Sequence, residues 1–157
     1  MKNIVIICLM LCSVSLFAQR NTFKNLTEKD GKIGIGTEKP DELLTVKGKI
    51  HTQEVLVDLN GAVAPDYVFE HYFEGASKLN PTYALLSLEE VAAYIEKAHH
   101  LPGIPSAQQL EANGISLKEM NLLLLQKIEE LTLYTLEQQI QLDTIMEELE
   151  KLNSLKD

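Results

Sequence analysis

The most regular pattern of apolar and polar positions lies near the C-terminus, where apolar residues recur three and four apart from Leu117 onward. No proline or glycine interrupts this stretch, so one helix is predicted over residues 116–155. With heptad position a at Asn121, eight of the eleven a and d positions are apolar, which predicts a coiled coil. These eleven positions, called the seam below, are Leu117, Asn121, Leu124, Ile128, Leu131, Thr135, Gln138, Leu142, Ile145, Leu149 and Leu152.

The residue types along the seam favour more than two strands. Leucine at a and isoleucine at d, as at Leu142 and Ile145, are typical of trimers and tetramers. Polar residues at Asn121, Thr135 and Gln138 cost stability but fix the register of the strands. The alternative is a single amphipathic helix that folds back on its own domain. Further leucines off the seam predict that the start of the helix is covered on several sides; they are Leu122, Leu123, Leu125, Leu133 and Leu136.

Short strands are predicted over residues 31–61, a β-rich shaft segment. Apolar residues alternate there with polar ones or glycine, and Gly and Pro punctuate the pattern. The glycines of Gly34-Ile35-Gly36-Thr37 are interpreted as a turn, because no Gly-Lys-Ser/Thr follows and no helix begins there. Residues 20–30 are predicted to be a disordered lead-in. The alternating apolar pairs are Ile33 and Ile35, Leu44 and Val46, and Val55 and Val57.

Residues 62–115 are predicted to form a small α/β cap, so the fold class is α+β. Asp66 to Phe69 is predicted to be a strand because aromatic and β-branched residues favour strands. Helix starts are predicted at Ser87, Ser106 and Ser116, since each serine precedes a Glu or Gln by three residues, as in a capping box. The second of these helices is predicted to end in a left-handed turn at Gly114.

The N-terminal residues 1–19 have the basic start, short apolar run and small-residue exit of a cleaved export signal; the alternative is a retained membrane anchor, for which the apolar run is short. Both cysteines lie inside this segment, so the exported chain has no thiol for a disulfide or a thiolate metal site. The formal net charge is −9, and loss of Lys2 with the signal makes it one unit more negative. Such a charge repels nucleic acid. We therefore expect an exported protein, secreted, periplasmic or on the outer cell surface.

No residue pattern indicates catalysis, and we predict no catalytic, cofactor-binding or metal-binding residues. Adjacent side chains such as His99 and His100 point in different directions and seldom chelate one ion together. The pair Glu129 and Glu130 is interpreted as a solvated helix face. An alternative function is a surface adhesin or carbohydrate-binding module that uses an aromatic cluster. The aromatic residues of that cluster are Tyr67, Phe69, Tyr72 and Tyr83.

Several segments together resemble secreted bacterial proteins related to phage tail-fibre tips. They are IGIGTEKPDELLTVKGKIHTQEVLVD, PDYVF, LLSLEEVAAYIEKAHHLPGIPSAQQL and NGISLKEMNLLLLQKIEELTLYTL. More distantly, GIPSAQQLEANGISLKEMNLLLLQKIEEL is similar to the end of the intramolecular chaperone domain that trimerises endosialidase-type tail spikes.

The resemblance implies a parallel homotrimer with a β-rich shaft, a compact cap and a three-stranded coiled coil. It implies a structural role, with a cell-surface protein or glycan as a possible partner. The tail-spike chaperones cleave themselves with a serine and a lysine near the start of the domain. Residues 49–60 hold no serine, so self-cleavage is not expected of this chain.

Overall fold

The computed structural model describes residues 23–155, and the predicted export signal at residues 1–19 lies outside them. The chain divides into two compact units between Val55 and Leu56, and each is described by itself. Within the described residues the architecture is α+β, as the sequence predicts. The elements are β1 (Leu26–Lys29), β2 (Lys32–Ile35), β3 (Leu44–Val46), α1 (Tyr67–Glu74), α2 (Leu88–Ala98), α3 (Ala107–Asn113) and α4 (Leu117–Ser154).

The first unit is a three-stranded sheet in the order β1-β2-β3. Strands β1 and β2 are antiparallel, and Lys29 pairs with Lys32 across a two-residue turn. Asp30 and Gly31 form this turn with φ of 52° and 75°, the positive values that a type I′ hairpin turn requires. The prediction of a disordered lead-in over residues 20–30 is therefore wrong for β1, because the Asp-Gly turn folds this segment back onto β2.

A short loop returns the chain so that β3 lies parallel to β2. The hydroxyl of Thr45, which is buried, donates a hydrogen bond to Asp41 Oδ1 at 2.7 Å and closes the loop. Gly36 has φ of 73°, and a Cβ there would lie 3.0 Å from the carbonyl oxygen of Lys47. Gly36 is thus a turn glycine beside a strand, as the sequence predicts.

The strand predicted at Val55 and Val57 is absent from the described chain. Val55, Leu56 and Val57 belong to no strand and are all exposed. A β-strand depends on hydrogen bonds to a neighbour, and among residues 23–155 no strand pairs with these residues. The alternating pattern is correct for a strand, but the single chain gives it no partner.

In the second unit, the segment predicted to be a strand at Asp66 to Phe69 forms the start of helix α1. Gly75 ends the helix in a left-handed conformation, with φ of 79°, and its N–H donates to the carbonyl of His71 at 2.9 Å. Val68 is completely buried, and α1 packs on α4. Packing against another helix outweighs the strand propensity of the aromatic residues.

The serine caps define the remaining helices. Ser87 and Ser106 each form both hydrogen bonds of a capping box. Ser116 forms one of the two, accepting from the N–H of Glu119 at 3.4 Å. At the end of α3, Gly114 has φ of 77° and ψ of −175°, an extended conformation at positive φ rather than the predicted left-handed helical one.

The buried apolar core of the described chain is small. It consists of Pro65 just before α1, Val68 on α1, and Leu133 and Tyr134 on α4. Within the described residues, helices α2 and α3 bury no side chain completely. A stable domain of this length normally buries a much larger set of apolar residues.

Candidate assembly surface on the C-terminal helix

All eleven seam residues lie on α4, and all eleven are exposed in the single chain. The eight apolar members are 45–63% exposed to solvent. In a globular helix, an apolar stripe with this spacing normally faces the core. Here the stripe runs from Leu117 to Leu152 with no described element of the chain covering it.

The cap packs on α4 through the face opposite the seam. Leu133 is completely buried and Tyr134 nearly so, and these residues occupy heptad positions f and g. Leu122 and Leu123, at b and c, are half-buried. Helix α4 does pack on its own domain, but this packing leaves the seam free.

Hydrogen bonds from tyrosines of the cap fix its position on α4. The hydroxyl of Tyr67 donates to Gln126 Oε1 at 2.9 Å, and that of Tyr83 donates to Glu130 Oε1 at 3.3 Å. Glu130 also forms an ion pair with Lys127, with 2.7 Å between Oε2 and Nζ. The carboxylate therefore joins the cap to α4 through groups that are all partly buried.

The tyrosine rings are packed against one another, and this burial changes their acid–base behaviour. The ring centroids of Tyr67 and Tyr83 lie 5.1 Å apart, and the ring of His71 meets Tyr83 edge-on at 5.5 Å. Burial, followed by the negative charge of Glu130, raises the pKa of Tyr83 far above its ordinary value. The hydroxyl therefore stays protonated and remains a donor.

A third tyrosine of this contact lies on α4 itself. The hydroxyl of Tyr134 donates to the carbonyl oxygen of Leu86 at 2.6 Å, just before the cap of α2. Burial is the main cause that raises the pKa of Tyr134, and the charge of Glu130 adds to it.

The aromatic cluster considered as a ligand-binding surface belongs largely to this contact. Tyr67, Phe69 and Tyr83 are half-buried between the cap and α4 or in the cap itself. Tyr72 is exposed and meets the exposed ring of Phe73 edge-on, with 5.0 Å between centroids. Two rings at the end of α1 are therefore available to solvent, whereas the other three are not fully accessible.

The interpretation of Glu129 and Glu130 as a solvated face is wrong. Glu129 is 6% exposed and Glu130 is half-buried, because the cap covers the side of α4 on which they lie. One feature of the sequence indicates that α4 has a second apolar face, the one that the cap covers. Leu133 and Tyr134 stand at f and g, positions that are polar in a coiled coil exposed all round.

The distal part of α4 is exposed on every side. From Thr135 to Leu155 each residue of the chain is classed as exposed. Glu137, Gln138 and Gln141 border a groove beside the start of α2. Most helical stability in proteins comes from packing of an amphipathic face, and from Leu142 onward α4 has none within the described chain. Among its polar seam residues, Thr135 donates its hydroxyl to the carbonyl of Leu131 at 2.8 Å, which leaves its methyl group free to pack.

Among residues 23–155, no three His, Cys, Asp or Glu side chains come together as a metal site would require. His99 and His100 have separate roles. His99 ends α2 with φ of 59°, and the ring of His100 meets that of Tyr94 edge-on at 5.5 Å. None of the described helices is long and apolar enough to cross a membrane.

Comparison with known proteins finds no match to this chain among family models, curated proteins or solved structures.

Proposed function

We propose that this protein is an exported structural protein of the tail-fibre-like kind, which assembles as a parallel homotrimer through the seam of α4. One observation carries the proposal. The cap occupies the face of α4 opposite the seam, and the eight apolar seam residues remain about half exposed. An apolar stripe this long is a surface for association when no part of the same chain covers it.

Burial of the seam supplies the driving force for assembly. Complete burial of a large aliphatic side chain contributes about 1.5 to 3 kcal/mol, so a half-exposed one gains on the order of 1 kcal/mol. This gain is repeated at eight positions in each chain. The same association gives the distal turns of α4 the packing that an isolated helix lacks.

The width of the exposed stripe supports more than two strands. Leu125 and Met146, both at heptad position e, are exposed beside the seam. A two-stranded coiled coil buries mainly a and d, whereas larger bundles bury a wider arc of each helix. Leu142 at a and Ile145 at d favour the same outcome.

In this proposal the protein has a structural role, which is to display several copies of the cap together. The trimeric stalk presents three copies of the cap, which can contact a cell-surface protein or glycan. Three linked copies bind more tightly than one, because the second and third contacts are intramolecular. An export signal at residues 1–19 is consistent with a role outside the cytoplasm.

The test compares two double variants of the chain without its export signal. The first, Ile128→Asp with Leu131→Asp, places charges in the seam. The control, Leu136→Asp with Ile140→Asp, alters one Leu and one Ile of similar exposure, at 51% and 63%, that lie off the seam. Light scattering on a sizing column across a dilution series gives the mass of each.

We expect a trimer for the unaltered chain and the control, and a monomer for the seam variant. If the seam variant keeps the mass of the unaltered chain, the seam is not an interface. Equal loss of mass in both variants would show general apolar association rather than a coiled coil. A monomeric unaltered chain would contradict the proposal outright.

A further inference from the structure

Glu129 is a buried residue on the face of α4 that the cap covers, and one of its two carboxylate oxygens has no partner within the described residues. Its side chain is 6% exposed. Its Oε2 atom is fully buried and has no hydrogen-bond partner among the described residues. Buried polar groups nearly always have such a partner, so an unpaired carboxylate needs an explanation.

The charged groups around Glu129 do not compensate it. From the cap, the carboxylate of Asp66 at the start of α1 acts on Glu129 as a like charge, and the hydroxyl of the next residue, Tyr67, is committed to Gln126. On α4 itself, Lys127 is paired with Glu130 at 2.7 Å. No ion pair within the described chain includes Glu129.

An ionised carboxylate in this position would destabilise the docked state. Removing a charge from water without a partner costs several kcal/mol, and groups in such places usually become neutral instead. The completely buried residues of the contact between α1 and α4, Val68 and Leu133, are apolar and offer no group that could solvate it. The side chain is therefore accommodated best in its protonated form.

We propose that Glu129 is protonated while α1 is docked on α4, and that its ionisation weakens this docking. The cap is thus held more firmly at mildly acidic pH and more loosely as the pH rises. The contact lies within one chain, so the proposal does not depend on the trimer.

The sign follows from linkage. Burial is the main cause that raises the pKa of Glu129 above its ordinary value of 4.5, and the charge of Asp66 adds to it. The docked state therefore holds a proton that the undocked state releases. Stability contributed by the neutral group is complete below pH 4.5 and is lost as the pH rises through the folded pKa. Within that window the ratio of docked to undocked cap changes by up to about tenfold per pH unit.

The experiment measures urea unfolding of the exported chain between about pH 4.5, the ordinary pKa of the carboxyl, and about pH 8. All five tyrosines lie between Tyr67 and Tyr134 and the chain has no tryptophan, so near-ultraviolet circular dichroism reports on this unit. The variant Glu129→Gln removes the titrating group with little change of shape. The control Glu147→Gln makes the same change of charge at an exposed position of α4. Glu129→Leu serves as a second test if the glutamine variant does not fold.

We expect the unfolding midpoint of the unaltered chain and of Glu147→Gln to fall as the pH rises. Glu129→Gln should show a flatter dependence, with a midpoint near that of the unaltered chain at about pH 4.5 and above it at about pH 8. An equal pH dependence in Glu129→Gln and Glu147→Gln would overturn the proposal. So would a lower midpoint for Glu129→Gln at pH 8, since the ionised carboxylate would then be stabilising.

Discussion

Leu133 is the residue on which the contact between the cap and α4 depends most. Its side chain is completely buried, and so is Val68 on the facing helix α1. Replacing a buried leucine with alanine removes its transfer free energy and leaves a cavity, at a cost of about 2 to 5 kcal/mol. We therefore expect Leu133→Ala to lower the free energy of unfolding of this unit by that amount.

The matched control is Leu136→Ala, the same substitution three residues along α4 at a side chain that is 51% exposed. Surface substitutions of this kind usually change stability by within about 0.5 kcal/mol. With a urea slope of about 1 to 3 kcal/mol per molar, a loss of about 2 to 5 kcal/mol should lower the unfolding midpoint of Leu133→Ala by roughly 0.7 to 5 M.

The assay follows the tyrosine circular dichroism in urea at one fixed protein concentration, because association affects the apparent stability. Light scattering on the same samples should give an unchanged mass, since Leu133 lies opposite the seam. Equal midpoints for Leu133→Ala and Leu136→Ala would refute the assignment of this face to the cap. A loss of mass in Leu133→Ala alone would show that the two faces of α4 do not act independently.

Two further predictions concern the turn glycine and the buried tyrosines. Gly36→Ala should destabilise the sheet unit by about 1 to 2 kcal/mol, because its φ of 73° is unfavourable for alanine and the new methyl would meet the Lys47 carbonyl. The control is Gly48→Ala, at a position where a Cβ meets open space. Unchanged thermal unfolding of Gly36→Ala would contradict the turn geometry. Raised pKa values at Tyr67 and Tyr83 mean that the neutral hydroxyls stabilise the fold, and that this stability is lost as the pH rises above the ordinary value of 10.0. An absorbance titration should therefore show ionisation of these hydroxyls together with loss of the tyrosine circular dichroism. In Tyr83→Phe, stability should fall less steeply as the pH rises above 10.0, because one of the two ionising hydroxyls is gone.

The sequence determined the helices more completely than the strands. Three serine caps and the absence of Pro and Gly after Leu117 predicted α2, α3 and α4 close to their observed ends. These signals are local, since a cap involves four consecutive residues and a helix bonds only within itself. The Asp30-Gly31 pair is also a local signal, and it would have predicted the β1–β2 hairpin in place of a disordered lead-in.

Strand formation and burial required contacts between distant residues. Val55 to Val57 has the pattern of a strand but no neighbouring strand in the described part of the chain, and Asp66 to Phe69 becomes helical because Val68 packs on α4. Both outcomes depend on which segment lies alongside, and the residue types alone do not contain that information.

The sequence by itself determined that α4 is a long helix with an apolar stripe at heptad spacing. Only the tertiary structure decided that the cap lies on the other side. That choice buries Leu133 and Glu129 and leaves Ile128 and Leu131 exposed. The physical reason is that periodicity shows which residues share a face, whereas the shape and hydrogen-bonding groups of the cap, Tyr67 and Tyr83 among them, select the face it covers.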